Sequence, residues 1–132
     1  MNDTYLEIQT RMINFGAEIL QLINPLKDAG VPGSVIDQLV RSGTSVGANY
    51  AEARSAESHP DFLHKLRLAL KECREAKFFL GVLRQNPKAP QRTITKLFGE
   101  SDQFCAILYC SVVTAGEGKG DGNGHRSMII DQ

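Results

Sequence analysis

Apolar residues recur along this chain at alternating steps of three and four, in four long segments. That spacing places them on one face of an α-helix, and no segment keeps up the alternation typical of a β-strand. The first two stripes are Tyr5, Ile8, Met12, Phe15, Ile19 and Leu22, then Ile36, Leu39, Gly43, Val46, Tyr50 and Ala53. The last two are Phe62, Leu66, Ala69, Cys73, Ala76, Leu80 and Leu83, then Ile94, Phe98, Ser101, Cys105, Leu108, Val112 and Ala115. Four such helices with short connections predict an all-α, up-down-up-down antiparallel four-helix bundle over residues 1–115.

Prolines and capping residues predict where these helices begin and end. Asn24-Pro25 is expected to end the first helix, because the residue before a proline is pushed out of the helical region. Residues 27–33 read as a loop. Ser34 and Ser58 are expected to cap the second and third helices, and Gln85-Asn86-Pro87 to end the third.

Residues 116–132 differ in composition from the rest of the chain. Their sequence, GEGKGDGNGHRSMIIDQ, holds five glycines between Gly116 and Gly124 together with charges of both signs. Such a composition cannot bury a core, and it predicts a flexible C-terminal tail.

The length of 132 residues suits a single domain with one core. No run reaches the roughly 18 apolar residues of a membrane span, and the N-terminus lacks the pattern of a secretory signal. The cysteines, Cys73, Cys105 and Cys110, are odd in number and have no CxxC spacing. Free thiols and a cytoplasmic location are therefore expected, without membrane attachment.

The charge is unevenly distributed although the net charge is zero. Residues 41–96 carry eleven lysines and arginines against five acidic residues, and the ends of the chain are acidic in compensation. A basic middle predicts either an anionic partner or attraction between parts of one assembly.

The stretch RSGTSVGANYAEA, residues 41–53, has helical periodicity but contains two glycines and three serine or threonine residues. A phosphate cradle would need a preceding strand and a different glycine spacing. A serine nucleophile would need a histidine base, and His59 and His64 lie outside the stretch. Gly43, Gly47 and Ala51 recur every four residues, which instead predicts a close contact between two helix backbones.

Asp61 and His64 have the helical spacing of a metal-ligand pair. A di-metal site in a bundle needs two such pairs and two further carboxylates, and only one pair is present. No metal, cofactor or catalytic constellation is therefore expected, and the chain is predicted not to be an enzyme.

The third predicted helix carries a basic face and more than one apolar face. Arg67, Lys71 and Arg74 share one side, which indicates either phosphate binding or a solvated face with local pairs such as Lys71 and Glu75. No aromatic residue is expected in a register for stacking on bases. Other faces of this helix carry further apolar residues, namely Leu68, Phe78, Phe79 and Val82. They favour a subunit interface, and the alternative is a wider core stripe.

Two blocks of the sequence resemble a known bacterial family. The run from Gln38 to Glu52, QLVRSGTSVGANYAE, is similar to the signature of the four-helix bundle proteins first recognised in intervening sequences of 23S ribosomal RNA genes. The run from Asp61 to Glu75, DFLHKLRLALKECRE, matches that family's second block. The resemblance covers roughly residues 5–115. The accessory protein of diversity-generating retroelements, which partners a reverse transcriptase and nucleic acid, resembles the chain more distantly and lacks a close version of the first block.

The resemblance implies a bundle that assembles into a ring-like homopentamer. Eight residues stand at the family's motif positions: Ser42, Ser45, Gly47, Asn49, Glu52, Lys71, Glu72 and Glu75. We interpret them as a polar network between the second and third long helices, with Asn49 and Glu52 facing Lys71 or Glu75.

Together these observations predict a non-enzymatic, self-associating bundle that binds RNA or DNA weakly. Arg67, Lys71 and Arg74 would contact phosphates, with Arg41 and Arg54 as additions, and a nucleic-acid-processing protein is a further possible partner. The alternative is a protein-interaction scaffold that does not bind nucleic acid.

Overall fold

The computed structural model describes residues 3–117, which form a bundle of helices without a strand. Its elements are α1 Thr4–Gln21, α2 Ile23–Asp28, α3 Gly33–Arg54, α4 His59–Leu83 and α5 Gln91–Glu117. The four long helices correspond to the four predicted segments. Of the predicted flexible tail, residues 116–132, Gly116 and Glu117 still belong to α5, and the remainder lies outside the described residues. No helix in residues 3–117 is long and apolar enough to cross a bilayer.

The long helices pack in chain order around one core. α3 contacts both α1 and α4, and α4 in turn contacts α5. α5 closes the bundle against α1, where the rings of Phe15 and Phe104 meet edge to face with centroids 5.5 Å apart. Both rings are fully buried. Each helix runs antiparallel to its neighbours, as the pattern predicted.

The segment around Pro25 differs from the prediction. α1 already ends at Gln21, and Asn24-Pro25 lies inside the short helix α2 rather than ending a helix. Pro25 is the third residue of α2, a position whose backbone N–H would have no acceptor within the helix, so a proline is tolerated there. Gly30, with φ of 81°, then turns the chain in a conformation that favours glycine.

The two predicted serine caps have opposite outcomes. Ser58 caps α4 as predicted, because its hydroxyl accepts a hydrogen bond from the Asp61 backbone N–H at 3.1 Å. Ser34 does not cap α3, whose N-cap is Pro32. The Pro32 carbonyl already accepts from the backbone of Val35 and Ile36, so the helix begins before Ser34.

The predicted core stripes of α1, α3 and α4 are largely buried, whereas that of α5 is displaced by one residue at two places. Leu97 and Phe104 are fully buried, while the predicted core residues Phe98 and Cys105 are only partly buried. Ile94, Ser101 and Leu108 are buried as predicted, so the repeat of seven holds and only its intermediate position moves from the fourth to the third residue. As a result Phe98 and Cys105 lie at the surface between α4 and α5.

The glycines of α3 make the close backbone contact that their spacing predicted, and the partner is α1. A Cβ atom on Gly47 would lie 3.2 Å from the Met12 Cβ, and one on Gly43 would overlap the Ile19 side chain. Both glycines are buried. Ala51, the third member of the row, is only partly buried.

Candidate nucleic-acid interface

The basic residues predicted on the third long helix lie together on the outer side of α4. Arg67, Lys71 and Arg74 are exposed, and we call them the α4 basic stripe. Their spacing of four and three keeps them on one face of the helix. No ion pair within residues 3–117 engages Arg67 or Lys71. This face therefore presents positive charge to the solvent.

Phe78 extends the α4 basic stripe by one further turn. It lies four residues after Arg74, and 65% of its surface is exposed. At a rise of 1.5 Å per residue, the distance along the helix from Arg67 to Phe78 is roughly 16 Å. Reasoning from sequence missed this residue, because it assigned Phe78 to an interface by its apolar character alone. The signal was present, since Phe78 continues the spacing of the basic residues.

A surface groove of ≈ 530 Å³ lies between α4 and α5, and Phe78 forms part of its lining. We call it the Phe78 groove; it is lined by Arg74, Lys77, Phe78, Gly81, Val82, Gln85, Phe98 and Cys105. The groove is thus apolar along its length and basic at one end.

Cations also surround the second aromatic ring of the Phe78 groove. The Arg84 guanidinium lies 4.7 Å and the Lys77 ammonium 5.6 Å from the centre of the Phe98 ring. Lys77 also donates a hydrogen bond to Asp102 at 2.7 Å, which raises the pKa of the lysine. Phe98 therefore already has cationic partners, and its ring is partly buried, whereas Phe78 is largely exposed.

Arg41 lies beside the α4 basic stripe but binds carboxylates of α4. It donates to Glu72 at 3.0 Å and to Glu75, and the hydrogen bonds to Glu75 and Glu72 raise the pKa of the guanidinium. The expected local pair between Lys71 and Glu75 does not form, because Glu75 is bound by Arg41 from α3. Arg41 therefore compensates part of the negative charge of Glu72 and Glu75, which lie next to the stripe.

Arg54, the other predicted addition, lies near the N-terminus of α1. Its guanidinium donates to both carboxylate oxygens of Asp3, at 3.3 and 3.1 Å. It also lies 5.3 Å from the centre of the Tyr5 ring. The hydrogen bond from Arg54 lowers the pKa of the Asp3 carboxyl. The structure places Arg54 with α1 and separates it from the α4 basic stripe.

The predicted polar network joins α3 to α4, but with different partners. Glu52 binds Lys65 at 2.8 Å instead of Lys71, and Asn49 donates to the Ser45 carbonyl of its own helix at 3.0 Å. The predicted pairing is wrong because antiparallel packing sets the end of α3 against the beginning of α4. Lys71, farther along α4, is exposed instead.

The hydroxyl groups of the glycine-containing stretch bond to their own helix. Ser42, fully buried, donates to the Gln38 carbonyl at 2.8 Å, and Ser45 donates to the Arg41 carbonyl at 2.6 Å. Thr44 donates in the same way to Val40. A buried hydroxyl satisfied in this way needs no partner on a second helix. The stretch therefore serves packing, and within the described residues its polar contacts with other helices come from Arg41, Glu52 and the Tyr50 carbonyl.

The predicted Asp61 and His64 pair gathers no further ligands. Within residues 3–117, no three His, Cys, Asp or Glu side chains lie together as a metal site requires. The Asp61 backbone N–H donates to the Ser58 cap, as described above.

The protein is thus a small antiparallel helical bundle, and the outer face of α4 carries the basic stripe and the exposed Phe78 ring. The chain belongs to the family of 23S rRNA-intervening sequence proteins, whose family model matches residues 4–110. This confirms the resemblance seen in the two sequence blocks.

A solved structure is similar to this chain over most of its length. It is the crystal structure of a protein of unknown function from the S23 ribosomal protein family of Bacteroides thetaiotaomicron VPI-5482. The two sequences are 28% identical, the match covers 80% of this chain and 97% of the other, and the TM-score is 0.73. No curated protein matches the sequence.

Proposed function

We propose that this protein is a non-enzymatic, self-associating bundle of the cytoplasm that binds single-stranded RNA or DNA weakly through the α4 basic stripe and Phe78. The observation that carries the proposal is the alignment of three exposed cations and one exposed aromatic ring on a single helix face. Proteins that bind single strands without sequence preference combine a positive track for the backbone with aromatic rings on which bases stack.

The charge around the α4 basic stripe supports this proposal. Arg41 binds Glu72 and Glu75, so the nearest carboxylates are already compensated when a phosphate approaches. The family name links its members to sequences that intervene in 23S rRNA, which makes RNA the first ligand to test. The net charge of zero fits weak binding rather than strong binding.

Fluorescence anisotropy of a labelled single-stranded RNA and a single-stranded DNA, titrated with the protein, tests this function. If three phosphates are contacted, affinity should fall roughly 20-fold between about 50 and 200 mM salt. The variant in which Arg67, Lys71 and Arg74 are all alanine should lose most of that salt dependence. Phe78→Ala should weaken binding roughly tenfold and leave the salt dependence in place, because stacking is not ionic.

The matched control removes three positive charges from elsewhere on the surface. Lys27, Lys88 and Arg92 are exposed and lie outside the stripe, so their triple alanine variant has the same net charge as the stripe variant. It should bind like the unaltered protein. Equal loss in both triple variants, or no binding at about 50 mM salt, contradicts the proposed interface.

Self-association is proposed through a second surface, on α1. Leu6, Ile13 and Leu20 recur every seven residues, and 48%, 57% and 48% of their surfaces are exposed. The stripe borders a groove of ≈ 400 Å³ between α1 and α3, lined in part by Gly16 and Ala48. Exposed apolar stripes of this kind are typical of subunit interfaces. The family resemblance implies a homopentamer.

Light scattering coupled to size exclusion measures the assembly directly. The unaltered protein should have the mass of several chains, five if the resemblance holds. Ile13→Lys should reduce that mass, while Asn14→Lys, at the neighbouring exposed position, should not. A monomeric protein at every concentration tested contradicts self-association without affecting the nucleic-acid result.

A protein-interaction scaffold is the second candidate function. The apolar lining of the Phe78 groove favours it, because Val82 is also exposed and could contact a protein as well as a base. Ionic strength separates the two functions, since binding to an apolar groove does not weaken steeply with salt.

A further inference from the structure

Two cysteine thiols are in contact where α4 packs against α5. The Sγ atoms of Cys73 and Cys105 are 3.3 Å apart, and Cys73 also contacts the Ser101 carbonyl at 3.3 Å. A disulfide needs sulfurs about 2.05 Å apart, so a shift of little more than about 1 Å would join these two. The third cysteine, Cys110, is exposed and is not part of this pair.

The two thiols differ in access to solvent. Cys73 is fully buried, whereas Cys105 is partly exposed and forms part of the lining of the Phe78 groove. A small oxidant that enters the groove therefore reaches Cys105 first. Cys73 lies behind it, in position to react with whatever forms on the Cys105 sulfur.

The two thiols also differ in acidity. The contact with Cys73 lowers the pKa of Cys105, and the positive charges of Lys77 and Arg74 lower it further, against burial and the nearby Asp102 carboxylate. The same contact and burial raise the pKa of Cys73. The thiolate is the reactive form of cysteine, so Cys105 suits the role of nucleophile and Cys73 that of resolving thiol.

We propose that Cys73 and Cys105 form a redox-active dithiol that a peroxide oxidises to a disulfide between α4 and α5. In the first step the Cys105 thiolate attacks one oxygen of hydrogen peroxide, the O–O bond breaks, and the hydroxide that leaves takes up a proton to become water. Cys105 is then a sulfenic acid.

In the second step the Cys73 thiol loses its proton and its sulfur attacks the Cys105 sulfur. The S–O bond breaks, the S–S bond forms, and the departing hydroxide combines with that proton as a second water. Two thiols and one peroxide thus become one disulfide and two waters, with two electrons passing from sulfur to oxygen. A dithiol reductant reverses the change.

Treating the reduced full-length protein with hydrogen peroxide and mapping its peptides without reduction tests the pair. The expected product is a peptide pair linked through Cys73 and Cys105, with Cys110 still open to alkylation. The link should disappear after dithiothreitol is added. Absence of this link, or oxidation of Cys110 before Cys105, overturns the proposal.

Single serine variants assign the two roles. In Cys73→Ser the sulfenic acid should persist on Cys105 and be trapped by dimedone, since no resolving thiol remains. In Cys105→Ser no sulfenic acid should form at Cys73, and Cys110→Ser should form the link as the unaltered protein does. Trapping at Cys73 in Cys105→Ser contradicts the assignment of the nucleophile. Far-ultraviolet circular dichroism confirms that each variant keeps its helices.

Discussion

The two faces of α3 contact their neighbours by different means. Toward α1, Gly47 lies close to the Met12 backbone, and Gly43 leaves room for the Ile19 side chain. Toward α4, long charged side chains span the interface, with Arg41 and Glu52 reaching carboxylate and ammonium groups of α4. At the glycines the first interface is steric and buried, with a hydrogen bond and an ion pair at its end. The second interface has a polar rim open to solvent.

This difference predicts how each interface responds to substitution. Interiors are packed as densely as organic crystals, so added volume between α1 and α3 cannot be absorbed. Exposed ion pairs contribute little and are screened by salt, so changes between α3 and α4 should be mild. Close packing therefore determines the register of α1 on α3. Between α3 and α4, the ion pairs at the rim favour one register over others.

The largest effect is expected from Gly47→Val. The new Cβ would lie 3.2 Å from the Met12 Cβ and within 3.6 Å of the Met12 backbone, which cannot rotate away as a side-chain end could. Overpacking of this kind costs about 2–3 kcal/mol, and chemical denaturation should show that loss in the free energy of unfolding.

Gly99 supplies a control for replacing a helical glycine where space is free. It lies within α5, and no atom lies within 4 Å of a Cβ added there. Gly99→Ala should therefore stabilise the protein by about 0.5–1 kcal/mol, because alanine favours a helix over glycine. If Gly47→Val is as well tolerated as Gly99→Ala, the close contact of α1 with α3 does not determine stability.

Local sequence patterns were sufficient to predict the four long helices, the Ser58 cap and a close contact at the glycines, because each pattern lies within a short stretch of chain. They did not indicate that α1 is the partner of the glycines. The ion pairs of Arg41 were not predicted, because its partners, Glu72 and Glu75, lie 31 and 34 residues away. Pairing across antiparallel helices depends on register, which local spacing does not encode. Phe98 was wrongly assigned to the core of α5. The buried residue is its neighbour Leu97, and the spacing of apolar residues alone did not distinguish the two.

A smaller loss is expected from Tyr5→Phe, which removes a hydrogen bond between α1 and α3. The Tyr5 hydroxyl donates to the Tyr50 carbonyl at 2.5 Å, and the two rings stack with centroids 4.1 Å apart. Phenylalanine keeps the ring and loses the hydrogen bond, so unfolding should become easier by about 1 kcal/mol.

The same tyrosine predicts a dependence of stability on alkaline pH. Burial raises the pKa of Tyr5 to about 12, above the value of 10.0 for an unperturbed tyrosine. The folded state holds this proton more tightly than the unfolded state. The contribution of protonated Tyr5 to the free energy of unfolding is therefore complete below pH 10.0 and is lost as the pH rises toward about 12. Tyrosinate absorbance should show the raised midpoint, and Tyr5→Phe should flatten the fall in stability. An equal fall in both proteins contradicts this assignment.

The smallest effect on stability is expected from Arg41→Gln, at the rim of α3 and α4. The variant leaves Glu72 and Glu75 without their shared cation, so the melting temperature should fall slightly at low salt, and less at high salt, where the repulsion is screened. Lys71→Met, which removes an exposed charge of the same sign, should leave melting unchanged. Because Arg41 compensates the acidic residues beside the α4 basic stripe, Arg41→Gln should also weaken nucleic-acid binding. Normal binding by Arg41→Gln would mean that those carboxylates do not face the ligand.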